Sequence, residues 1–265
     1  MVLILIISIL LIFLQKIHPF LVIKAPENAL KLKSFLNDAN QVPPQLEINL
    51  DRYSNFTLIE KVLFNRFANS VALELGSNTQ AASDFKSLIS QINVMAKLPE
   101  ADVHFKGKSM LVNLFPSWLL PQFRWMFAKP FPTFSLWMNS WVTKKTTNWL
   151  MGPSEITDLI MEDGTIYKDQ LLKIEKCAFL EESQCVRTCL HACKVSTQDF
   201  FMKEMGLPVT LSPNFDDLSC EFKFGMKPLD LQDDEISQSP CFDTCNSIKK
   251  SQNKSCQQFK EKDLK

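Results

Sequence analysis

The 265-residue sequence is poor in glycine and has no excess of charge of either sign. It contains only 6 Gly, and neither a GxxxxGK[ST] phosphate loop nor a GxGxxG dinucleotide fingerprint occurs in it. Lys and Arg together number 29, and Asp and Glu together also number 29, so the chain has no basic field that would attract nucleic acid. We therefore expect neither a nucleotide nor a nucleic acid as a partner.

Cysteine is absent from the long first part of the chain. All eight cysteines lie at or beyond Cys177. The hydrophobic content of 46% is enough for one or two domains with a real core. An even number of cysteines behind an apolar leader would suit a secreted framework of disulfides, and this alternative stays open.

The first residues form an apolar run. Val2 to Leu14 is apolar apart from Ser8, and as a helix it would be about 20 Å long, short of the roughly 30 Å of bilayer hydrocarbon. This length favours a signal-peptide core over a membrane anchor. We assign residues 1–24 to a hydrophobic targeting segment and residues 25–55 to a linker.

Two amphipathic helices are predicted in the region that follows, residues 56–150. Thr57 and Glu60 form a T-x-x-E capping box before a helix that reaches Gly76. Its apolar residues recur at helical spacing: Ile59, Val62, Leu63, Phe67 and Val71. A second helix runs from about Ser83 and stops before Pro99, with Phe85, Leu88, Ile89, Ile92, Met95 and Ala96 on one side. We expect both helices to pack as core.

The stretch from Met110 to Leu150 holds all five tryptophans and is broken by prolines into short pieces. Tryptophan buries a large apolar area and favours membrane interfaces, so the stretch suits an apolar substrate surface or a membrane-associated one. Packing as an ordinary core is the alternative. We predict substrate contacts from four residues: Trp118, Trp125, Trp137 and Trp141.

Beyond residue 150 the pattern changes to short strands. Asp163-Gly164 predicts a hairpin turn between Ile156–Met161 and Ile166–Ile174. Cys220 begins a period-two alternation that ends at Gly225, which predicts a half-buried strand with Cys220 facing the core.

These patterns predict an α+β fold, with a mainly helical N-terminal part followed by a small cysteine-rich α+β domain. We place that domain at residues 151–245 and a basic, solvated tail at 246–265.

Three cysteines stand four residues apart: Cys185, Cys189 and Cys193. A helix would put them on one stripe, where parallel side chains disfavour disulfides between neighbours. Coordination of iron, as non-haem iron or an iron–sulfur cluster, is favoured over disulfides to distant cysteines. On a straight α-helix Cys185 and Cys193 would be separated by about 12 Å of rise, so either the helix breaks or a cluster is bound.

His191 would point away from Cys189, and we expect it to pack at the surface or a helix end.

Four segments together resemble one known family. They are WLMGPSEI at 149–156, KCAFLEESQCVRTCLHACKVSTQDFF at 176–201, GLPVTLSPNFDDLSCEFKFG at 206–225 and PCFDTC at 240–245. They are similar to the plastid β-carotene isomerases of the strigolactone pathway. Members of that family are iron-containing proteins that interconvert all-trans and 9-cis-β-carotene.

The resemblance implies an enzyme, a carotenoid cis-trans isomerase with a carotenoid as its substrate and a plastid, membrane-associated location. It also implies six metal ligands: Cys177, Cys185, Cys189, Cys193, Cys220 and Cys241. The catalytic residues are not identified by it. The signal-like N-terminus departs from an ordinary transit peptide and suggests a plastid reached through the secretory pathway, with the secretory pathway itself as the alternative.

Two other functions stay open. One is a non-catalytic or electron-carrying iron or iron–sulfur protein. The other is a disulfide-stapled, secreted binding module, which the glycosylation triplets Asn55-Phe-Thr57 and Asn253-Lys-Ser255 would suit.

Overall fold

The computed structural model describes residues 55–161, 163–231, 233–240 and 242. The predicted targeting segment, the linker up to residue 54, and the basic tail lie outside the described residues. No helix in the described ranges is both long and apolar enough to cross a membrane.

Three helices open the described part: α1 (Leu58–Leu75), α2 (Phe85–Met95) and α3 (Glu100–Val112). The predicted capping box of α1 is confirmed, since the Glu60 carboxylate accepts from the Thr57 N–H and Thr57 Oγ1 accepts from the Glu60 N–H. Helix α1 ends at Gly76, whose φ of 124° lies in the region that favours glycine.

The expected core face of α2 is confirmed, and that of α1 is partly wrong. All six residues predicted for the core face, five in α2 and one directly after it, are buried: Phe85, Leu88, Ile89, Ile92, Met95 and Ala96. In α1, Phe67 and Val71 are buried, but Ile59 is 73% exposed and Val62 is 39% exposed. The core face of α1 is formed by Phe64, Phe67, Ala68 and Val71 instead of Ile59 and Val62.

The aromatic-rich stretch forms helices broken at prolines. Helix α4 (Leu119–Phe123) continues as a π-helix, π1 (Arg124–Ala128). Helix α5 (Pro132–Met151) starts with Pro132 at its first turn, where a missing N–H costs no intrahelical bond.

A four-stranded antiparallel sheet follows, in the order β1-β2-β4-β3. Its strands are β1 (Ser154–Ile160), β2 (Ile166–Ile174), β3 (Val209–Pro213) and β4 (Cys220–Phe224). The predicted hairpin around Asp163-Gly164 is confirmed by β1 and β2, and the predicted strand from Cys220 is confirmed by β4.

Between β2 and β3 the chain is helical. Helix α6 (Ala178–Ser183) is followed by π2 (Thr188–Val195), α7 (Ser196–Asp199) and π3 (Phe200–Met205). A short 3₁₀-helix (Glu235–Gln238) comes after β4. The α+β class is therefore confirmed.

One core joins the helices to the sheet. Trp149, at the end of α5, meets Phe56, Phe64 and Phe67 edge-on with ring centroids 5.7–6.0 Å apart. The same core includes Leu172 of β2 and residues of β3 and β4. The described residues belong to one compact unit, so no break between compact units falls near residue 150. The domain limits themselves stay a prediction.

Candidate functional site

Four of the five described cysteines lie between β2 and α6, at the start of β4 and on π2. Cys177 lies just before α6, where its N–H donates to the Leu218 carbonyl at 2.8 Å. Cys220 begins β4 opposite Ile174 and faces the core at 7% exposure, which confirms its predicted orientation. Cys189 and Cys193 project from π2. No disulfide joins the cysteines in the described residues.

Four of these thiols are close enough to influence one another. Burial raises the pKa of Cys189 well above its usual value, and the nearby Cys193, Cys220 and Cys177 raise it further. Burial also raises the pKa of Cys193 to about 12, with a further contribution from Cys177. The pKa of Cys220 rises through burial and then through Cys177 and Cys193. We call Cys177, Cys189, Cys193 and Cys220 the thiol cluster.

Cys185 is not among the neighbours that raise these pKa values. It lies before the helical stretch, partly buried, and its carbonyl accepts from the Cys189 N–H at 3.1 Å. The straight α-helix that would carry all three thiols on one stripe does not form, because the chain adopts the wider π geometry from Thr188. Cys241 lies outside the described residues.

The thiol cluster has the donor chemistry of a soft-metal site. Thiolate sulfur is the ligand that iron–sulfur clusters and zinc prefer, and a bound metal displaces the thiol proton. Burial opposes the thiolate form as long as no cation compensates it. In the described residues, however, no three His, Cys, Asp or Glu side chains converge closely enough to hold a metal ion. The residue types therefore suit iron, and their spacing in this structure is wider than a single ion needs.

A pair of histidines lies on the other side of π2. His191 is only 1% exposed, and its Nδ1 lies 2.8 Å from Nε2 of His104 on α3, with the two rings stacked at 24°. The expectation that His191 packs at the surface or a helix end is wrong, because it lies within π2, where α3 covers it and His104 provides a hydrogen-bond partner. Sequence reasoning missed His104, which lies 87 residues away.

The Nε2 atom of His191, opposite the nitrogen that meets His104, faces Arg187 and Glu100. The His191 Nε2 atom is buried without a hydrogen-bond partner in the described structure, and the Glu100 Oε1 atom lies 4.0 Å from it. Arg187 donates to the carbonyls of Ala96 and Leu98 at 2.8 and 3.0 Å and approaches Glu100 at 3.4 Å. Burial, followed by the charge of Arg187, lowers the pKa of His191 to about 3, so this ring is neutral at pH 7.

Two contacts fix π2 between its neighbours. Lys194 is 2% exposed and forms an ion pair with Asp234 at 2.5 Å. On the α3 side, Gly107 lies so close to Ser196 that a Cβ at position 107 would come within 2.1 Å of the Ser196 Oγ. The absence of a side chain at Gly107 lets α3 approach the end of π2.

The four predicted substrate-contact tryptophans all lie at the surface. Trp118, Trp125, Trp137 and Trp141 are 42%, 73%, 43% and 53% exposed. The alternative prediction, an ordinary core, holds for Trp149 at 5% exposure. Trp125 borders a shallow cleft of about 240 Å³ together with Arg124 and Lys129.

A larger cleft opens beside β3. Its volume is about 550 Å³, and its walls include Phe215 and Phe242, whose rings meet edge-on at 5.9 Å. Pro213 also lines it and pairs with Cys220 across the sheet, which links this cleft to the strand that carries one thiol of the cluster.

Comparison with known families gives a match over the part of the chain that holds the thiol cluster. Residues 149–233 match the family described as beta-carotene isomerase D27-like, C-terminal. We call these residues the matched segment. It contains every described cysteine, Arg187 and His191, whereas Glu100, His104 and the four exposed tryptophans lie before it.

Curated relatives agree with this match. The chain is 42% identical over 101 residues to a protein of Arabidopsis thaliana named "Beta-carotene isomerase D27, chloroplastic". It is 41% identical over 101 residues to a protein of Medicago truncatula with the same name. Each alignment covers 38% of this chain, and the chain spans 38% and 39% of the length of these relatives. No solved structure matches the chain.

Proposed function

We propose that the chain is a carotenoid isomerase that interconverts all-trans- and 9-cis-β-carotene. The observation that carries the proposal is the match of residues 149–233, which hold the thiol cluster, to the family described as beta-carotene isomerase D27-like, C-terminal. The 42% identity over 101 residues to a protein named beta-carotene isomerase supports it. Isomerisation needs no nucleotide, in keeping with the lack of a phosphate-binding loop in the sequence.

We propose further that iron is held by the thiol cluster. Buried sulfur donors from two strand ends and one π-helix are the supporting observation. Iron bound there would supply one-electron chemistry that weakens a double bond for rotation. Cys185 and Cys241 stay predicted ligands.

The larger cleft beside β3 is the place where we propose that the polyene approaches the thiol cluster. Its volume of about 550 Å³ falls within the range of small-molecule sites. Phe215 and Phe242 provide apolar walls. A C40 polyene is longer than this cleft, so the exposed tryptophans are proposed to contact the rest of the substrate or the lipid that dissolves it.

We also propose a plastid, membrane-associated location. The names of both relatives include the word chloroplastic, and a hydrocarbon substrate dissolves in lipid and not in water.

The reaction is tested with the full chain, purified without oxygen and mixed with all-trans-β-carotene in neutral detergent micelles. Separation of the isomers by chromatography should show the 9-cis form increasing until a fixed ratio is reached from either starting isomer. An unchanged isomer ratio in protein that contains its metal would overturn the proposed reaction and favour the non-catalytic or electron-carrying alternative.

The metal proposal is tested separately by measuring iron, sulfide and thiols in the same protein. Cys189→Ser and Cys220→Ser should each lose most of the iron, because each removes a donor of the cluster. Cys256→Ser, outside the predicted ligand set, is the matched control and should keep its iron. Protein without iron, with its cysteines joined in disulfides, would instead support the secreted, disulfide-stapled alternative.

A further inference from the structure

Helix α5 buries several polar side chains beside Leu136, Trp149 and Met151, and it exposes Trp137 and Trp141. The residues that it buries include small polar ones: Ser135, Asn139, Ser140 and Thr143. Ser140 donates to the Asp169 carbonyl at 2.6 Å, which brings α5 close to the sheet. On its outward side, Trp137 and Trp141 are 43% and 53% exposed. Burying serine and threonine while exposing tryptophan is the reverse of an ordinary amphipathic helix.

The chain just before α5 also exposes aromatic side chains. Trp118, Trp125 and Phe131 are 42%, 73% and 59% exposed. Contiguous exposed apolar surface on a protein marks an interaction site more often than chance. Tryptophan in particular combines an apolar ring with an N–H donor, which suits a boundary between hydrocarbon and water.

The charges of this region have one sign. Between Lys108 and Glu155 the sequence contains no Asp or Glu, and it contains four basic residues: Arg124, Lys129, Lys144 and Lys145. Lys144 and Lys145 follow Trp137 and Trp141 at helical spacing, and the Lys145 Nζ lies 6.0 Å from the Trp141 ring centre. Glu204, an acid at the cleft beside Trp125, is paired with Lys108 at 2.9 Å.

We propose that the surface formed by these exposed aromatic residues and the four basic residues docks onto a lipid bilayer that contains anionic headgroups. We call it the basic aromatic surface; its residues are Trp118, Trp125, Phe131, Trp137 and Trp141 with Arg124, Lys129, Lys144 and Lys145. Tryptophan rings would enter the interface, and the lysine and arginine side chains would meet the negative headgroups. A second copy of the chain fits less well, because its own basic surface would face four like charges. The proposed reaction gives the protein a reason to reach a bilayer, since the carotenoid dissolves there, but docking itself rests on the residues above.

The test is co-sedimentation of the full chain with vesicles in the absence of carotenoid. Vesicles of phosphatidylcholine alone are compared with vesicles in which about one third of the lipid is phosphatidylglycerol. We expect stronger binding to the anionic vesicles and a decrease with added salt, because the Debye length shortens from about 10 Å at 0.1 M to about 3 Å at 1 M.

Substitutions on α5 test whether the basic aromatic surface is the part of the protein that binds the vesicles. Lys144→Gln with Lys145→Gln should lower the partition coefficient on anionic vesicles about thirtyfold, which corresponds to about fivefold per charge. The matched control removes two exposed lysines of β2, Lys168→Gln with Lys173→Gln, and should change binding little. The apolar residues 2–14 and the basic tail are present in every variant. The ratio of the partition coefficients of variant and parent therefore reports only on the substituted side chains of the basic aromatic surface.

Trp137→Ser with Trp141→Ser should lower binding to both kinds of vesicle at least about tenfold, with an unchanged circular dichroism spectrum. Parent-like binding by both the lysine and the tryptophan variants would overturn the proposal. So would a dimer in the analytical ultracentrifuge that the tryptophan variant abolishes, since the surface would then be a contact between copies. Isomerisation is measured in neutral detergent micelles, so failure of the proposed reaction and failure of docking are separate results.

Discussion

Helices π2 and α5 both depart from the rule that polar side chains face water and apolar ones face the core, and they do so in opposite directions. In π2, Thr188, His191 and Lys194 are at most 2% exposed. In α5, Trp137 and Trp141 are about half exposed.

The two departures differ in where their unusual groups find partners. In π2 the partners are internal: Thr188 donates to Asn93 at 2.7 Å, His191 meets His104 and Lys194 meets Asp234. In α5 the tryptophan rings end at the surface, next to lysines. A buried polar group with partners inside the fold is part of the fold, whereas an exposed aromatic face requires a partner from outside.

Breaking the Lys194–Asp234 ion pair should give the largest loss of stability on the π2 side. Asp234→Asn leaves the Lys194 ammonium buried without its counter-charge, and we expect the free energy of unfolding to fall by about 3–5 kcal/mol. Urea unfolding followed by circular dichroism measures it. Lys194→Met combined with Asp234→Asn removes the uncompensated charge, so this double variant should be more stable than Asp234→Asn alone. Equal stability of parent and Asp234→Asn would mean that π2 does not depend on its internal partner.

The His191–His104 pair predicts a pH dependence of stability on the acid side. The pKa of His191 is about 3 in the folded chain and about 6.5 in the unfolded one. Between these values the unfolded chain binds a proton that the folded chain does not, so the free energy of unfolding falls as pH falls. The slope approaches about 1.4 kcal/mol per pH unit below pH 6. Because the unfolded histidine is only half protonated at pH 6.5, the total loss between pH 6.5 and pH 4.5 is about 2.3 kcal/mol.

Urea unfolding at several pH values in that window checks this dependence, with His191→Gln as the comparison. The variant should lose the part of the slope that His191 contributes, whatever its stability at pH 7, and keep the part that comes from His104, whose pKa burial also lowers. Superimposable pH profiles of parent and variant would show that His191 titrates normally and is not held neutral by its surroundings.

Gly107→Ala tests how closely α3 packs on the end of π2. The new Cβ would meet the Ser196 Oγ at 2.1 Å and the Ser196 Cβ at 2.7 Å, and such overpacking costs about 1–3 kcal/mol. This exceeds the roughly 1 kcal/mol that alanine gains over glycine within a helix. In a Ser196→Gly background both Ser196 contacts disappear and only the Ala192 carbonyl oxygen, at 3.3 Å, remains close, so the same substitution should cost much less. A thermodynamic cycle of the four proteins, measured by urea unfolding, gives the coupling between positions 107 and 196.

Sequence reasoning predicted the elements whose signals are local. The capping box at Thr57, the turn at Asp163-Gly164 and the alternation from Cys220 each involve neighbouring residues, and α1, the β1–β2 hairpin and β4 follow from them. In the candidate site, the predicted inward orientation of Cys220 followed from the same alternation.

Other parts of the site could not be predicted because their signals are not local. The regular spacing of Cys185, Cys189 and Cys193 indicates a straight α-helix, and nothing in that spacing distinguishes it from π2. His191 looked like a surface residue because its partner, His104, lies 87 residues away and is brought to it only by the packing of α3. The tryptophans were predicted as substrate contacts, with packing in an ordinary core as the alternative, but composition alone does not say which of them is core and which is surface.

The smallest effect should come from the α5 side, where Trp141→Ala is expected to change the free energy of unfolding by no more than about 0.5 kcal/mol. Trp149→Ala, eight residues along the same helix, is the matched control. This substitution leaves a cavity next to Phe56, Phe64 and Phe67 and should lower the free energy of unfolding by about 3–5 kcal/mol. Both are measured by urea unfolding without lipid. If the two substitutions cost the same, Trp141 is part of the protein core in solution, and the contrast between α5 and π2 does not hold.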